Sequence, residues 1–115
     1  MSIERLDSGP RMSQAVIHNG TVFLAGQVGD DPKADLAEQT RQILANIDAL
    51  LARAGTDKSK LLTCNIWLAD IAGFNEMNAV YDRWIDPANP PVRACVESAL
   101  ATPDYKVEIQ VTAAL

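Results

Sequence analysis

A chain of 115 residues, 48% of them hydrophobic and with no low-complexity segment, has the length and composition of one compact domain spanning 1–115. Its formal charge is −5 and its Lys and Arg form no cluster, which argues against a partner that must have its phosphates neutralised, so no nucleic-acid binding is expected. No apolar run reaches the length of about 18 residues that reads as a membrane span, and the first residues lack a basic region followed by an apolar one; a soluble, cytoplasmic protein is expected.

In chain order, Ile3–Leu6 has the character of a short edge strand and Asp7-Ser8-Gly9-Pro10 that of a turn. Ala15–His18 and Thr21–Ala25 flank Asn19-Gly20, a pair that tolerates the positive φ angles of a type I′ turn, so a hairpin is predicted. His18, the only histidine, has no neighbour in sequence with which to bind a metal or form a triad. Gly26-Gln27-Val28-Gly29-Asp30-Asp31-Pro32 reads as a loop whose glycines lack phosphate-binding spacing. Asp35–Ala54 is an amphipathic helix, with Leu36, Thr40, Ile43, Leu44, Ile47, Leu50, Leu51 and Ala54 recurring at helical spacing. Asp35 and Glu38 resemble a capping box at its start, and Gly55 suits its stop.

Leu61–Leu68 follows as a strand whose run Ile66-Trp67-Leu68 calls for burial on both faces or for cover from a neighbouring subunit. Asp70 is placed to cap a second helix with Phe74, Met77, Asn78, Tyr81, Trp84 and Ile85 as its inner stripe. Asn78 is the amide on that stripe, and it either ties the helix to a loop or contacts a ligand. Cys64 and Cys95 lie in strand-like runs without metal-ligand spacing and are expected as reduced thiols, Cys64 as core filling.

Pro90-Pro91 fix an extended backbone, after which Val92, Ala94 and Val96 alternate with Arg93, Cys95 and Glu97. Val107, Ile109 and Val111 alternate in the same way with Glu108, Gln110 and Thr112. Ala101-Thr102-Pro103-Asp104 reads as a turn between the two runs, so they are expected to pair antiparallel and to gather Arg93, Cys95 and Glu108 on one polar face, a potential site for a small anion and a water. The order of elements predicts an α+β domain, one mixed sheet with both helices on a single face.

The segment Pro91-Val92-Arg93-Ala94-Cys95-Val96, followed by Val107-Glu108-Ile109, resembles the C-terminal motif of the Rid family of reactive intermediate deaminases, the YjgF-like proteins. The likeness extends through Asn19–Gln27 and Phe74–Tyr81, covers almost the whole chain, and is greatest to the short YoaB-like branch. The resemblance implies a chorismate-mutase-like fold, homotrimers with ligand clefts between subunits, and hydrolysis of 2-imino acids or their enamine tautomers, such as 2-aminoacrylate, to 2-oxo acids and ammonia without cofactor or metal.

Carried onto this chain, the resemblance makes Arg93 the carboxylate anchor, with Asn78, Gly26 and Gln27 also at the substrate, and Glu108 and Cys95 at the reacting centre. Glu108 would orient a water. Cys95 has no His or Lys near it in sequence to lower its pKa, and it reads as a wall of the site whose backbone meets ligand or water. Met12 and Ala25 stand where the deaminases of this resemblance carry Tyr and Ser, so two hydroxyls are absent. A different class of function, a non-catalytic module that binds a 2-oxo acid as a sensor, fits the same anchor. An isomerase of the chorismate-mutase type would want a second cation, and no second Arg stands in the matching motifs.

Overall fold

Positive φ at both Asn19 (52°) and Gly20 (76°) closes the turn that the sequence predicts, in a computed structural model that describes residues 2–115. The turn joins β2 (Ala15–His18) to β3 (Thr21–Leu24), and β1 (Glu4–Leu6) pairs antiparallel with β2. Helix α1 (Leu36–Ala54) begins where Asp35 accepts a hydrogen bond from the Glu38 N–H at 2.9 Å. It ends at Gly55, whose φ of 90° lets its own N–H and that of Thr56 reach back to the carbonyls of Ala52 and Leu51.

Strand β4 (Leu61–Leu68) comes next, then α2 (Phe74–Trp84), β5 (Val92–Glu97) and β6 (Val107–Ala114). The six strands form one mixed sheet in the order β1-β2-β3-β6-β4-β5. Both helices lie on one face, where Leu24, Ile43, Ile47, Leu51, Ile66, Leu68, Met77, Ile109 and Val111 form a continuous core. Each such aliphatic side chain contributes about 1.5–3 kcal/mol by leaving water. Among the described residues no helix is long and apolar enough to cross a membrane.

One expectation is overturned. The last two strands do not pair with each other: β5 runs parallel to β4, while β6 lies antiparallel between β3 and β4. Parallel neighbours need a crossover, and α2 supplies it, so β4, α2 and β5 form a βαβ unit. The turn at Ala101–Asp104 is present, with the Tyr105 N–H reaching the Thr102 carbonyl at 3.3 Å, but the segment carries the chain across the end of β4. That crossing is pinned on both sides, by Ser98 N–H to Leu68 O and by Ala69 N–H to Lys106 O.

The local caps and stripes also differ in detail. Asp70 caps a single 3-10 turn, Ile71–Gly73, through the Ala72 N–H, and that turn runs directly into α2. The buried stripe of α2 is Met77, Val80 and Tyr81, with Phe74 at the exposed edge. Leu62 is an extra residue in β4, between the partners Leu61↔Ala113 and Thr63↔Thr112, and it stays exposed.

Gln39 is fully buried on α1 and carries the connection between β5 and β6. Its amide donates to the carbonyls of Ala34 and Asp104 and accepts from the Lys106 N–H at 2.9 Å. Replacing it by Leu leaves the Asp104 carbonyl and the Lys106 N–H without their side-chain partner, while the Ala34 carbonyl keeps the Lys106 ammonium at 3.3 Å; the expected loss is about 2–3 kcal/mol in a urea unfolding curve, at nearly unchanged slope.

Candidate functional site

Arg93 projects from the edge strand β5 onto the face that carries the helices, because its register partner is the core residue Cys64. There its Nη1 donates to Asn78 Oδ1 at 2.7 Å. The guanidinium stands 4.8 Å from the centre of the Tyr81 ring and 5.8 Å from that of Phe74. Phe74, Asn78 and Tyr81 occupy positions i, i+4 and i+7 of α2, one stripe of the helix, and together they fix the plane of the fork. Among the described residues Arg93 forms no ion pair, so its charge faces no protein carboxylate at bonding distance.

Cys95 follows two residues along the same face and is half-buried. Burial pushes its thiol above the ordinary range, with the Arg93 charge acting in the opposite direction. Cys64 is buried beneath, and desolvation pushes it up to about 11 even though the Arg93 charge and a hydrogen bond with Tyr81 oppose it. Tyr81 is likewise raised to about 12, mainly by burial. Neutral groups therefore surround the guanidinium at pH 7, and neither thiol is an activated nucleophile.

Glu108 stands elsewhere. Its partner on β4 is Trp67, three residues from the Cys64 that pairs with Arg93, and an odd separation along a strand means opposite faces. The expected gathering of Arg93, Cys95 and Glu108 on one polar face is thus corrected: the guanidinium and thiol face the helices, and the carboxylate lies on the helix-free face.

Around Glu108 the loop after β3 is shaped by the side chain itself. A methyl group at Gly26 would overlap the Glu108 carboxylate, so only glycine leaves it this position. Gln27 is buried and exchanges backbone hydrogen bonds with Ile109. Its amide donates to Gln14 Oε1 at 3.0 Å, just before β2, and to the Ala25 carbonyl at 3.1 Å within the loop. Met12, between β1 and β2, is exposed, and Ala25 is half-buried beside Gly26.

The helix-free face also carries apolar groups without cover. Phe23, Val92 and Val96 are 47%, 71% and 49% exposed, and half-buried Trp67 lies between Val96 and Glu108 in register. The sequence calls for Trp67 to be buried on both faces of the strand or covered by a neighbouring subunit; within one chain it is half-buried.

Comparison with known proteins places this arrangement. The family model described as Endoribonuclease L-PSP matches residues 2–115. The chain belongs to that family, the YjgF-like or Rid proteins that the sequence resembles. The RutC family protein YoaB of Escherichia coli K12 is 44% identical over 115 residues, all of both chains. The human 2-iminobutanoate/2-iminopropanoate deaminase is 33% identical over 107 residues, 88% of this chain and 77% of that one. The crystal structure of NMB1025, a YjgF family member from Neisseria meningitidis, superposes with a TM-score of 0.95 at 44% identity, covering 99% of this chain and 95% of that one.

The raised thiol of Cys95 has a measurable consequence. Less thiolate exists at any given pH than on free cysteine, so iodoacetamide at pH 7.5 is expected to alkylate Cys95 more slowly than free cysteine, with the rate still climbing above pH 9. A rate that levels off below pH 8 would show an activated thiol instead.

Proposed function

We propose that the protein hydrolyses 2-imino acids, or their enamine tautomers, to 2-oxo acids and ammonia in clefts shared between copies of the chain. One observation carries this reading. Arg93 is a charged, oriented and accessible fork, fixed by Asn78, Tyr81 and Phe74, and among the described residues no carboxylate pairs with it. A substrate carboxylate is the natural bidentate partner, and a charged hydrogen bond of this kind contributes about 1.5–3 kcal/mol. The name of the human relative supplies the substrate class.

The chemistry needs no group beyond the chain and a water. Arg93 holds the carboxylate while water adds to the C2 carbon of the imine, and Glu108 accepts the hydrogen bond and then the proton of that water. Glu108 passes that proton to the imine nitrogen, which completes the carbinolamine; the carbinol O–H proton then moves by way of Glu108 to the same nitrogen as the C=O bond forms and the C–N bond breaks, so ammonia leaves and Glu108 returns to its starting state. Positioning the two reactants supplies much of the rate. Cys95 lines the anchor side, Asn78 orients Arg93, and Gly26 and Gln27 set the position of Glu108.

Because Arg93 and Glu108 face opposite sides of one sheet, both act on one substrate when they come from different copies. The exposed Phe23, Val92 and Val96, with half-buried Trp67 among them, provide apolar area for that association, and the homotrimer of the family resemblance is the assembly we propose. The family description names an endoribonuclease, but a chain of net charge −5 offers little to an RNA backbone.

Met12 and Ala25 temper the expected rate. Each hydroxyl missing from the cleft removes a hydrogen bond of about 1 kcal/mol, up to roughly tenfold in rate. With imines generated in situ by an amino-acid oxidase, the wild-type protein is expected to accelerate their decay measurably, Glu108→Ala to lose most of that acceleration, and Ala25→Ser to exceed the wild type. Arg93→Lys is expected to raise KM despite equal charge, since the planar fork is lost. No acceleration for small, branched or aromatic imines would overturn the deaminase reading in favour of a 2-oxo acid sensor, the reading that the two absent hydroxyls favour.

A further inference from the structure

A groove of about 340 Å³ lies away from Arg93, where α1 and α2 meet the 3-10 turn Lys58–Lys60. Its volume is in the range of small-molecule sites, roughly 300–1,000 Å³. Leu44 and Val80 form an apolar floor, and the indole of Trp84 forms one wall. The ring is held in place: Trp84 Nε1–H donates to both Asp48 oxygens at 3.0 Å, and its centre stands 6.0 Å from that of the Tyr81 ring, tilted by 55°.

Cations rim the groove. Arg41, Lys58 and Arg83 line it against one carboxylate, Asp48, which already accepts the indole N–H. Arg41 is paired with Glu38 at 2.9 Å, whereas among the described residues neither Lys58 nor Arg83 forms an ion pair. Lys58 Nζ stands 5.3 Å from the centre of the Trp84 ring. Asp86 is near enough to feel that ammonium, and its carboxyl is held low first by hydrogen bonds from Asn89 and the Ala88 N–H. Among the residues that line the groove three cations stand against one carboxylate beside an apolar surface, with Glu38 and Asp86 outside the lining.

We propose that this groove is a second binding site, for a small organic anion with an apolar body: an aryl or branched aliphatic carboxylate. The body lies on Leu44, Val80 and the Trp84 ring, and the carboxylate meets Arg83 and Lys58. The site shares no lining residue with Arg93 or Glu108, and it stands independently of the imine-hydrolysis reading.

The test is a titration of the 15N-labelled protein with 3-phenylpropanoate, following the Trp84 indole N–H resonance, which its loss in Trp84→Phe assigns. A saturable shift is expected. The uncharged 3-phenylpropanamide should bind at least about tenfold more weakly, as should Arg83→Glu and Lys58→Glu with the acid, that factor being the lower end of one charged hydrogen bond. Arg83→Lys should restore most of the affinity, and Arg93→Ala should leave it unchanged. The proposal is overturned by no saturable shift, by equal affinity for acid and amide, by charge-reversed variants that bind like the wild type, or by loss of the shift in Arg93→Ala.

Discussion

Strand β4 is hydrogen-bonded to β6 on one side and to β5 on the other, and the alternation of its side chains decides where every polar group of the candidate site points. Cys64, Ile66 and Leu68 must face the helices to close the core. Register then sends Arg93 and Cys95 to the same face, and it sends Glu108, beside Trp67, to the other. A shift of one residue between β4 and β6 would exchange the faces of β6 and expose Val107, Ile109 and Val111, at about 1.5–3 kcal/mol for each. The face on which Glu108 lies is therefore as firmly fixed as the core itself.

Helix α2 links this constraint to both binding surfaces. As the crossover between parallel strands it has to lie over β4 and β5, which brings Asn78 and Tyr81 onto Arg93. Val80, Arg83 and Trp84 face α1 instead and form the far wall of the groove. Tyr81 touches both settings, with the Arg93 guanidinium 4.8 Å from its ring and Trp84 6.0 Å away. The low charge density around Arg93 follows from this packing: aromatic faces and an amide orient the guanidinium without neutralising it.

Local chemistry made much of the fold legible. The Asn19-Gly20 turn, the cap at Asp35, the left-handed stop at Gly55 and the 3.6-residue stripe of α1 depend on neighbours in sequence, and all occur where the residues place them. Pairing of the last two strands was not legible in that way. The turn residues at Ala101–Asp104 look the same whether the chain doubles back beside β5 or steps over β4, and only the buried βαβ packing distinguishes the two. The same ambiguity hid the separation of Glu108 from Arg93, since alternation within each strand gives no relation between strands that are not neighbours. Buried Gln39 is a polar residue among the apolar stripe of α1, so hydrophobic spacing does not mark it, and the Phe74-Asn78-Tyr81 stripe was legible as spacing but not as a cradle for a cation.

A cleft that needs Arg93 from one copy and Glu108 from another can be tested by mixing two inactive proteins. Arg93→Ala and Glu108→Ala chains, unfolded together in equal amounts and refolded, should assemble at random, so that about a quarter of the shared clefts regain both groups. Imine hydrolysis near a quarter of the wild-type rate is the expected result, well above either variant refolded alone. A mixture no more active than the better of the two variants would contradict a site built from two copies.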